Sequence, residues 1–105
     1  MTRYILGPDA LRELNDIWDY IAADNLDAAN QFTDTLFAAF ERLAEMPGLG
    51  HTRADLTDRP LRFWPVGAYL VIYRSTERMP IEIVAITRGA RDIPRLLRRR
   101  QSERE

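Results

Sequence analysis

Residues 61–88, LRFWPVGAYLVIYRSTERMPIEIVAITR, decide the fold that we predict for this chain. Three segments of the stretch, LRFWPV, AYLVIYRS and IEIVAITR, are rich in β-branched and aromatic residues, which favour strands. Val66-Gly67 and the segment TERMP separate them. Because consecutive strands with tight turns pair in antiparallel fashion, we expect an antiparallel meander of three strands.

Side chains alternate between the two faces of a strand, so each strand predicts which residues share a face. Both faces come out apolar, and each therefore needs a covering layer. In the middle strand Tyr69, Val71 and Tyr73 oppose Leu70 and Ile72, and in the last strand Ile81, Ile83 and Ala85 oppose Val84 and Ile86.

The first half of the chain supplies one layer. A short strand at Arg3–Leu6 stops at Gly7-Pro8, and a helix over Pro8–Ala23 follows, since proline fits a first helical turn. A second helix, Ala28–Glu45, has Asp27 as its candidate N-cap. Both helices place apolar residues at intervals of three and four, and their short connection makes them antiparallel neighbours. The first helical face comprises Leu11, Leu14, Ile17, Trp18, Ile21 and Ala22.

The C-terminal segment can cover the other face only in part. Asp92 is a candidate N-cap for a short helix whose apolar edge is Ile93, Leu96 and Leu97. We expect the arginine-rich end, about 98–105, to be flexible. The predicted fold class is α+β: an N-terminal strand and an antiparallel helical hairpin packed on a three- to four-stranded antiparallel sheet, with a short C-terminal helix.

Composition is consistent with one small domain in a reducing compartment. The chain has 105 residues, of which 46% are hydrophobic, and it lacks cysteine. No apolar run is long enough for a signal peptide or a membrane span, so we expect a cytoplasmic protein without a membrane partner.

The net charge of −1 conceals an uneven distribution. Residues 1–50 carry three arginines against nine acidic residues, whereas residues 51–105 carry twelve arginines against seven. Every basic residue is arginine, which codon usage explains as well as function does, although arginine also suits bidentate contacts with carboxylate or phosphate. The second half therefore offers a cationic edge, or else a solvated charged tail that aids solubility.

No inherited catalytic motif is visible. His51 is the sole histidine and lies in the polar loop Leu49–Arg59, where a structural or solvent-exposed role is expected. Acidic pairs such as Asp16 with Asp19 are typical of a solvated surface, so we predict neither a metal site nor a cofactor. A phosphate-binding glycine loop and a nucleophile elbow are also absent from the sequence.

Four phrases in order, YILGPDALRELNDIWDYI, EMPGLG, RFWPVGAYLVIYR and ITRGARDI, resemble the ParE branch of the RelE/ParE superfamily of bacterial type II toxins. The resemblance runs from Arg3 to about Leu97. One departure is Arg88, where relatives commonly carry histidine before GARD, so a role of that histidine does not transfer.

The resemblance implies a toxin that is neutralised by a ParD-like antitoxin in a hetero-oligomer. ParE members poison DNA gyrase, which is the function that we expect, whereas RelE members cut messenger RNA on the ribosome. The alternatives are therefore a ribosome-dependent endoribonuclease or an inactive toxin-like binding module. Direct sequence-specific binding of nucleic acid is not expected.

Candidate site residues follow for each partner. Ribonucleases of the RelE type use lysine, arginine and tyrosine; this chain has no lysine, and arginine is a poor general base because it stays protonated. The ribonuclease alternative would use Arg62, Tyr73, Arg74 and Arg91. Binding to the target is assigned to Arg88, Arg91, Arg95 and Arg98. Anchors for an acidic antitoxin are Trp18, Ile21, Phe63 and Trp64, of which two are expected to belong to the core instead.

Overall fold

The structure, a computed structural model, describes residues 4–75 and 80–89 together with Ile93 and Leu97. One strand is followed by two helices and then by three strands, which confirms the predicted α+β class. The elements are β1 Tyr4–Leu6, α1 Pro8–Ala22, α2 Leu26–Glu45, β2 Arg62–Val66, β3 Tyr69–Arg74 and β4 Ile81–Arg88.

The four strands form a single sheet in the order β1-β4-β3-β2. The predicted meander of β2, β3 and β4 is antiparallel, but β1 pairs with β4 in parallel, so the sheet is mixed where we predicted an antiparallel one. The reason is topological. The two helices return the chain to the end of the sheet from which β1 started, and such a long connection permits parallel pairing.

The helix boundaries agree with the sequence to within two residues. α1 begins at Pro8 after Gly7, and Asp9 in its first turn accepts a hydrogen bond from Arg12 at 2.8 Å. The predicted N-cap of α2 is wrong. Asn25, whose backbone is extended, accepts a hydrogen bond from the backbone N–H of Ala28 at 2.9 Å, so the helix starts at Leu26 and Asp27 lies in its first turn.

The helical hairpin packs on one side of the sheet, which we call the hairpin-covered face. Leu11, predicted to point inward, is 49% exposed, and Ala10 is buried in its place. The aromatic rings of Tyr4 and Phe40 lie 5.5 Å apart where α2 crosses β1. The buried residues of this cluster are Ala10, Leu14, Ile17, Leu36, Phe40, Leu43, Val66, Val71, Tyr73, Ile81, Ile83 and Ile86.

A β-bulge in β4 overturns part of the predicted alternation. Ile72 pairs with Ala85 and Tyr73 pairs with Ile83, so Val84 is an extra residue in the ladder. Val84 and Ala85 therefore both lie on the side away from the helices, and Ile86 returns to the hairpin-covered face. We predicted that Ala85 shares a face with Ile83 and that Ile86 shares a face with Val84. Both predictions are wrong, because an inserted residue moves every later residue of the strand to the other face.

Among the described residues, the other side of the sheet, which we call the opposite face, has the smaller buried cluster. Ile93 and Leu97, both in helical conformation and at most 3% exposed, pack on it. The rest of the predicted C-terminal helix, including Leu96, lies outside the described residues. The buried cluster of this face is Leu61, Phe63, Ile72, Val84, Ala85, Ile93 and Leu97.

The loop between α2 and β2 contacts the sheet at its outer edge. The backbone of His51 pairs with Phe63 through N–H···O bonds of 2.9 and 2.8 Å, and Pro65 has no N–H to offer there. The His51 side chain is exposed, as expected from the sequence. This edge is thus covered at Phe63 and blunted at Pro65.

Candidate functional site

A buried tyrosine joins the end of α2 to the sheet. Tyr73 has no exposed surface, and its hydroxyl donates to the backbone oxygen of Pro47 at 2.7 Å and accepts from the N–H of Gly50 at 2.8 Å. Arg62, the cross-strand partner of Tyr73, donates to the oxygen of Gly50 at 2.7 Å. The segment from Pro47 to Gly50 is therefore bonded to the sheet at three points.

Gly50 is required for this close approach. A Cβ atom at this position would lie 2.5 Å from the hydroxyl oxygen of Tyr73 and 2.6 Å from its Cε1 atom. A Cβ at Gly48, in contrast, would meet nothing within 4 Å. Of the two glycines in EMPGLG, Gly50 is therefore required for the contact with Tyr73, and Gly48 is not.

Tyr73 is poorly placed to act as a proton donor. Burial raises the pKa of its hydroxyl above the usual value, although the N–H of Gly50 and the charge of Arg62 oppose that rise. The hydroxyl remains protonated at neutral pH, and its proton is directed to the carbonyl of Pro47. A substrate would have to open this junction before it could reach the hydroxyl.

Of the arginines proposed for RNA cleavage, Arg62 lies near that hydroxyl, whereas Arg74 does not. Arg74 binds one oxygen of Glu82, its cross-strand partner, through Nε at 2.9 Å and a terminal nitrogen at 2.6 Å. Because Arg74 follows Tyr73 in the strand, the two side chains lie on different faces of the sheet. Arg91, the fourth member of this set, lies outside the described residues.

The four predicted antitoxin anchors are distributed over several surfaces. Phe63 is 2% exposed in the cluster of the opposite face, so it is a core residue in this structure. Trp64, its neighbour, packs from the other side against the hairpin-covered cluster. Trp18 is half-buried on α1 and donates its indole N–H to Asn30 of α2 at 3.1 Å. Ile21 lines an open recess.

That recess, which we call the hairpin groove, has a volume of about 380 Å³ and is mainly apolar. It lies where the end of α1 meets the first half of α2, and Ile21, Ala28, Gln31, Phe32 and Thr35 line it. The ring of Phe32 also packs on Tyr69 of β3, with 5.4 Å between ring centroids. One wall residue of the groove, Phe32, is therefore in contact with the sheet.

Of the predicted target-binding arginines, Arg88 can be placed. It is exposed at the end of β4, opposite Tyr69 in the ladder. Arg91, Arg95, Arg98 and the charged end of the chain lie outside the described residues. Within the described part of the chain no group of three or more acidic or histidine side chains is arranged to hold a metal ion. The same residues contain no helix that is both long and apolar enough to cross a membrane.

Sequence reasoning missed two features of this end of the molecule. Phe32 is one of several apolar residues at helical spacing in α2, and nothing in that pattern shows that it lines a groove. Glu13 lies near the N-terminus of α1, where an acidic residue favours the helix dipole, but its carboxylate accepts a hydrogen bond from the backbone N–H of Ile86 at 3.1 Å. The bulge that creates this contact leaves no signal in the residue types.

A helical hairpin on a mixed four-stranded sheet defines a small α+β domain. A model of the family described as the ParE toxin of type II toxin-antitoxin systems, parDE, matches residues 4–93. The chain belongs to this family.

Individual relatives agree with the family assignment. Toxin ParE1 of Mycobacterium tuberculosis, in strains CDC 1551 and H37Rv, is 31% identical over 98 residues, covering 91% of this chain and 98% of the relative. A solved structure described as the chromosomal ParDE toxin-antitoxin system from P. aeruginosa has a similar fold, with a TM-score of 0.65 at 18% identity. That match covers 81% of this chain and 92% of the solved chain.

Proposed function

We propose that the chain inhibits DNA gyrase in the bacterial cytoplasm and that a ParD-like antitoxin neutralises it by forming a hetero-oligomer with it. Membership of the ParE family supports a toxin with an antitoxin partner. Gyrase is the target that we infer, because ParE toxins poison this enzyme.

The observation that favours gyrase over messenger RNA is the state of Tyr73. RNA cleavage needs an accessible group that protonates the leaving oxygen, and the hydroxyl of Tyr73 is buried and bonded to two backbone groups. Arg74 is paired with Glu82, and the sequence contains no lysine that might act as a base. Tyr73 and Arg74, two candidates for the ribonuclease alternative, therefore make contacts that stabilise the fold.

Two assays run side by side test the proposal. Purified chain is added to purified gyrase with relaxed plasmid, and also to a cell-free translation reaction in which messenger RNA length is followed. We expect supercoiling to fall while translation continues on intact messenger RNA. The same chain premixed with its antitoxin is the control and should leave supercoiling unchanged.

The alternatives give different results in this pair of assays. Cleaved messenger RNA with normal supercoiling would establish the ribonuclease. Normal activity in both reactions would leave an inactive binding module and would refute gyrase inhibition.

A further inference from the structure

We propose that Glu13 of α1 is a positioning residue that holds the end of β4 and so directs Arg88 toward the target. This inference rests on the proposed inhibition of gyrase and on the assignment of Arg88 to target binding. It adds a residue of the helical hairpin that acts through the strand and need not touch the target itself.

Strand β1 is too short to support the whole of β4. In the described residues the parallel ladder ends where Leu6 pairs with Ile83, and the N–H of Gly7 donates to the oxygen of Ile83 at 2.9 Å. At Pro8 the chain continues as α1. β4, in contrast, stays paired with β3 as far as Arg88. The last residues of β4 therefore form a strand end that β1 does not cover.

Glu13 supplies the hydrogen-bond acceptor that β1 does not provide. The backbone N–H of Ile86 donates to a carboxylate oxygen of Glu13 at 3.1 Å, and Ile86 is 2% exposed. A donor in such a buried position costs free energy when it has no partner, and a carboxylate is a stronger acceptor than a neutral carbonyl. The contact therefore favours one position of the strand end.

The position of Glu13 is itself fixed by the packing of α1. Ala10, three residues earlier, is fully buried, and Ile17, four residues later, is 8% exposed. Residues at these spacings lie on one side of a helix, so Glu13 lies next to a buried stripe that packs on the sheet. Glu13 is accordingly only partly exposed. A well-packed helix thus determines where the acceptor for Ile86 lies.

Arg88 depends on this contact because of its place in the strand. It follows Ile86 by two residues, so both have the same orientation in the ladder, and the bulge at Val84, where the ladder is disrupted, lies just before them. Gly89, with a φ of 78°, turns the chain immediately after Arg88. Ile86 is the last buried residue of β4, so the way in which it is held sets the direction of the exposed Arg88.

A side-chain acceptor also leaves Arg88 accessible. A longer β1 would satisfy the same N–H of Ile86, but its next residues would run alongside Thr87 and Arg88 and cover that edge of the sheet. Glu13 bonds to the strand at Ile86, and Arg88 remains exposed. The strand end is therefore both held in place and open to a partner.

Two substitutions of Glu13 test the hydrogen bond separately from the charge. Glu13→Ala removes the acceptor, whereas Glu13→Gln keeps a carbonyl oxygen without the charge. The matched control is Glu41→Ala, which removes an exposed glutamate from α2. Each full-length chain is titrated against purified gyrase in a supercoiling assay. We expect Glu13→Ala to require at least about fivefold more protein for half-inhibition, and Glu13→Gln and Glu41→Ala to stay within about twofold of wild type. Inhibition by Glu13→Gln as weak as that by Glu13→Ala would overturn the proposed role of the hydrogen bond.

Double substitutions show whether Glu13 acts through Arg88. In a chain that carries Arg88→Ala, adding Glu13→Ala should raise the required concentration less than about twofold, because residues that act as one unit have non-additive effects. In a chain that carries Arg42→Ala, which removes an exposed arginine from α2, the same addition should keep its full effect of about fivefold. Equal effects in the two backgrounds would mean that Glu13 contributes only general stability and would overturn the proposal.

Backbone amide exchange followed by NMR tests the geometry without gyrase. The amide hydrogen of Ile86 should exchange at least about tenfold faster in Glu13→Ala than in wild type. The amide of His51, which bonds to the oxygen of Phe63 at the other edge of the sheet, is the internal control and should keep its rate. An unchanged rate at Ile86, or an equal rise at both amides, would contradict a local role of Glu13.

These measurements separate the positioning role from the function on which it rests. If the wild-type chain leaves supercoiling unchanged, the gyrase proposal falls, and amide exchange at Ile86 alone decides whether Glu13 holds the strand end. If the wild type inhibits gyrase and Glu13→Ala inhibits equally well, the gyrase proposal stands and the positioning role is wrong.

Discussion

In the described part of the chain, the two faces of the sheet carry buried clusters of different size. On the hairpin-covered face, burial of large side chains is combined with hydrogen bonds between segments. Tyr73 donates to Pro47 and accepts from Gly50, and the N–H of Ile86 donates to Glu13. On the opposite face, Ile93 and Leu97 belong to a smaller apolar cluster. The first face thus combines apolar burial with hydrogen bonds that join it to the segment after α2 and to α1.

The hydrogen bonds of the hairpin-covered face indicate which parts of the molecule are held in a fixed position. Apolar contact tolerates shifts and repacking, whereas a buried hydrogen bond is lost when its geometry changes. We therefore expect the hairpin, the segment from Pro47 to Gly50 and strand β4 to form one rigid unit. The groove and Arg88 lie on that unit.

The largest effect is expected from Phe40→Ala. Phe40 is fully buried between Tyr4 and Phe37 on the hairpin-covered face, and its removal should lower the free energy of unfolding by about 3–5 kcal/mol. Urea titration followed by tryptophan fluorescence measures it, with the exposed Gln31→Ala as control. A loss below about 1 kcal/mol would mean that the hairpin is not the main source of stability.

Gly50→Ala should lower the free energy of unfolding nearly as much as Phe40→Ala. The added methyl group collides with the Tyr73 ring and disrupts the hydrogen bond from Gly50, which together amount to about 2–4 kcal/mol. Gly48→Ala adds the same group in open space and should stay within about 0.5 kcal/mol of wild type. Equal losses in the two variants would show that general loop stiffening, not the tyrosine contact, sets the effect.

Ile93→Ala tests the opposite face. Ile93 is fully buried, but among the described residues its cluster is the smaller of the two, so we expect the lower end of the usual range for loss of the free energy of unfolding, about 2 kcal/mol. The same urea titration applies. If the loss equals that of Phe40→Ala, the two faces contribute alike and the contrast between them is wrong.

The smallest effect is a pH dependence carried by Tyr73. Its pKa in the folded chain is raised, chiefly by burial, so folding favours the protonated hydroxyl. This contribution is complete below the unfolded pKa of about 10 and is lost as the pH rises through the higher folded value. The stability difference between wild type and Tyr73→Phe should therefore be constant from neutral pH to about 9 and shrink above 10.

Tyr4 does not obscure this comparison. Its pKa is also raised, through burial and the charge of Glu41, but Tyr4 is present in both chains and cancels in the difference. Thermal melts across this pH range measure the effect. A difference that widens with pH would contradict a buried, protonated Tyr73.

Much of the fold could be predicted from residue patterns. The hairpin and the three-stranded meander follow from periodicity, and the faces of β3 are as the alternation predicted. The parallel pairing of β1 could not be predicted in this way, because three residues carry no information about direction. The bulge at Val84 is invisible for a similar reason, since valine, alanine and isoleucine suit either face.

The candidate site was less accessible to sequence reasoning. Tyr73 could be named from its residue type, but only the structure shows that its hydroxyl bonds to Pro47 and Gly50. Phe63 and Trp64 are adjacent aromatics that looked equivalent, yet alternation buries one on each face. The contact between Glu13 and Ile86 depends on a bulge and on the position of a helix, which no local pattern encodes.

Gyrase inhibition by charge-reversed chains tests most directly whether the chain inhibits gyrase and uses Arg88 to do so. Supercoiling is measured with wild type, Arg88→Glu and Arg42→Glu, each titrated against a fixed amount of gyrase. We predict that wild type and Arg42→Glu inhibit at similar concentrations, whereas Arg88→Glu requires at least about tenfold more protein. Full inhibition by Arg88→Glu at the wild-type concentration, or no inhibition by the wild type itself, would contradict the account.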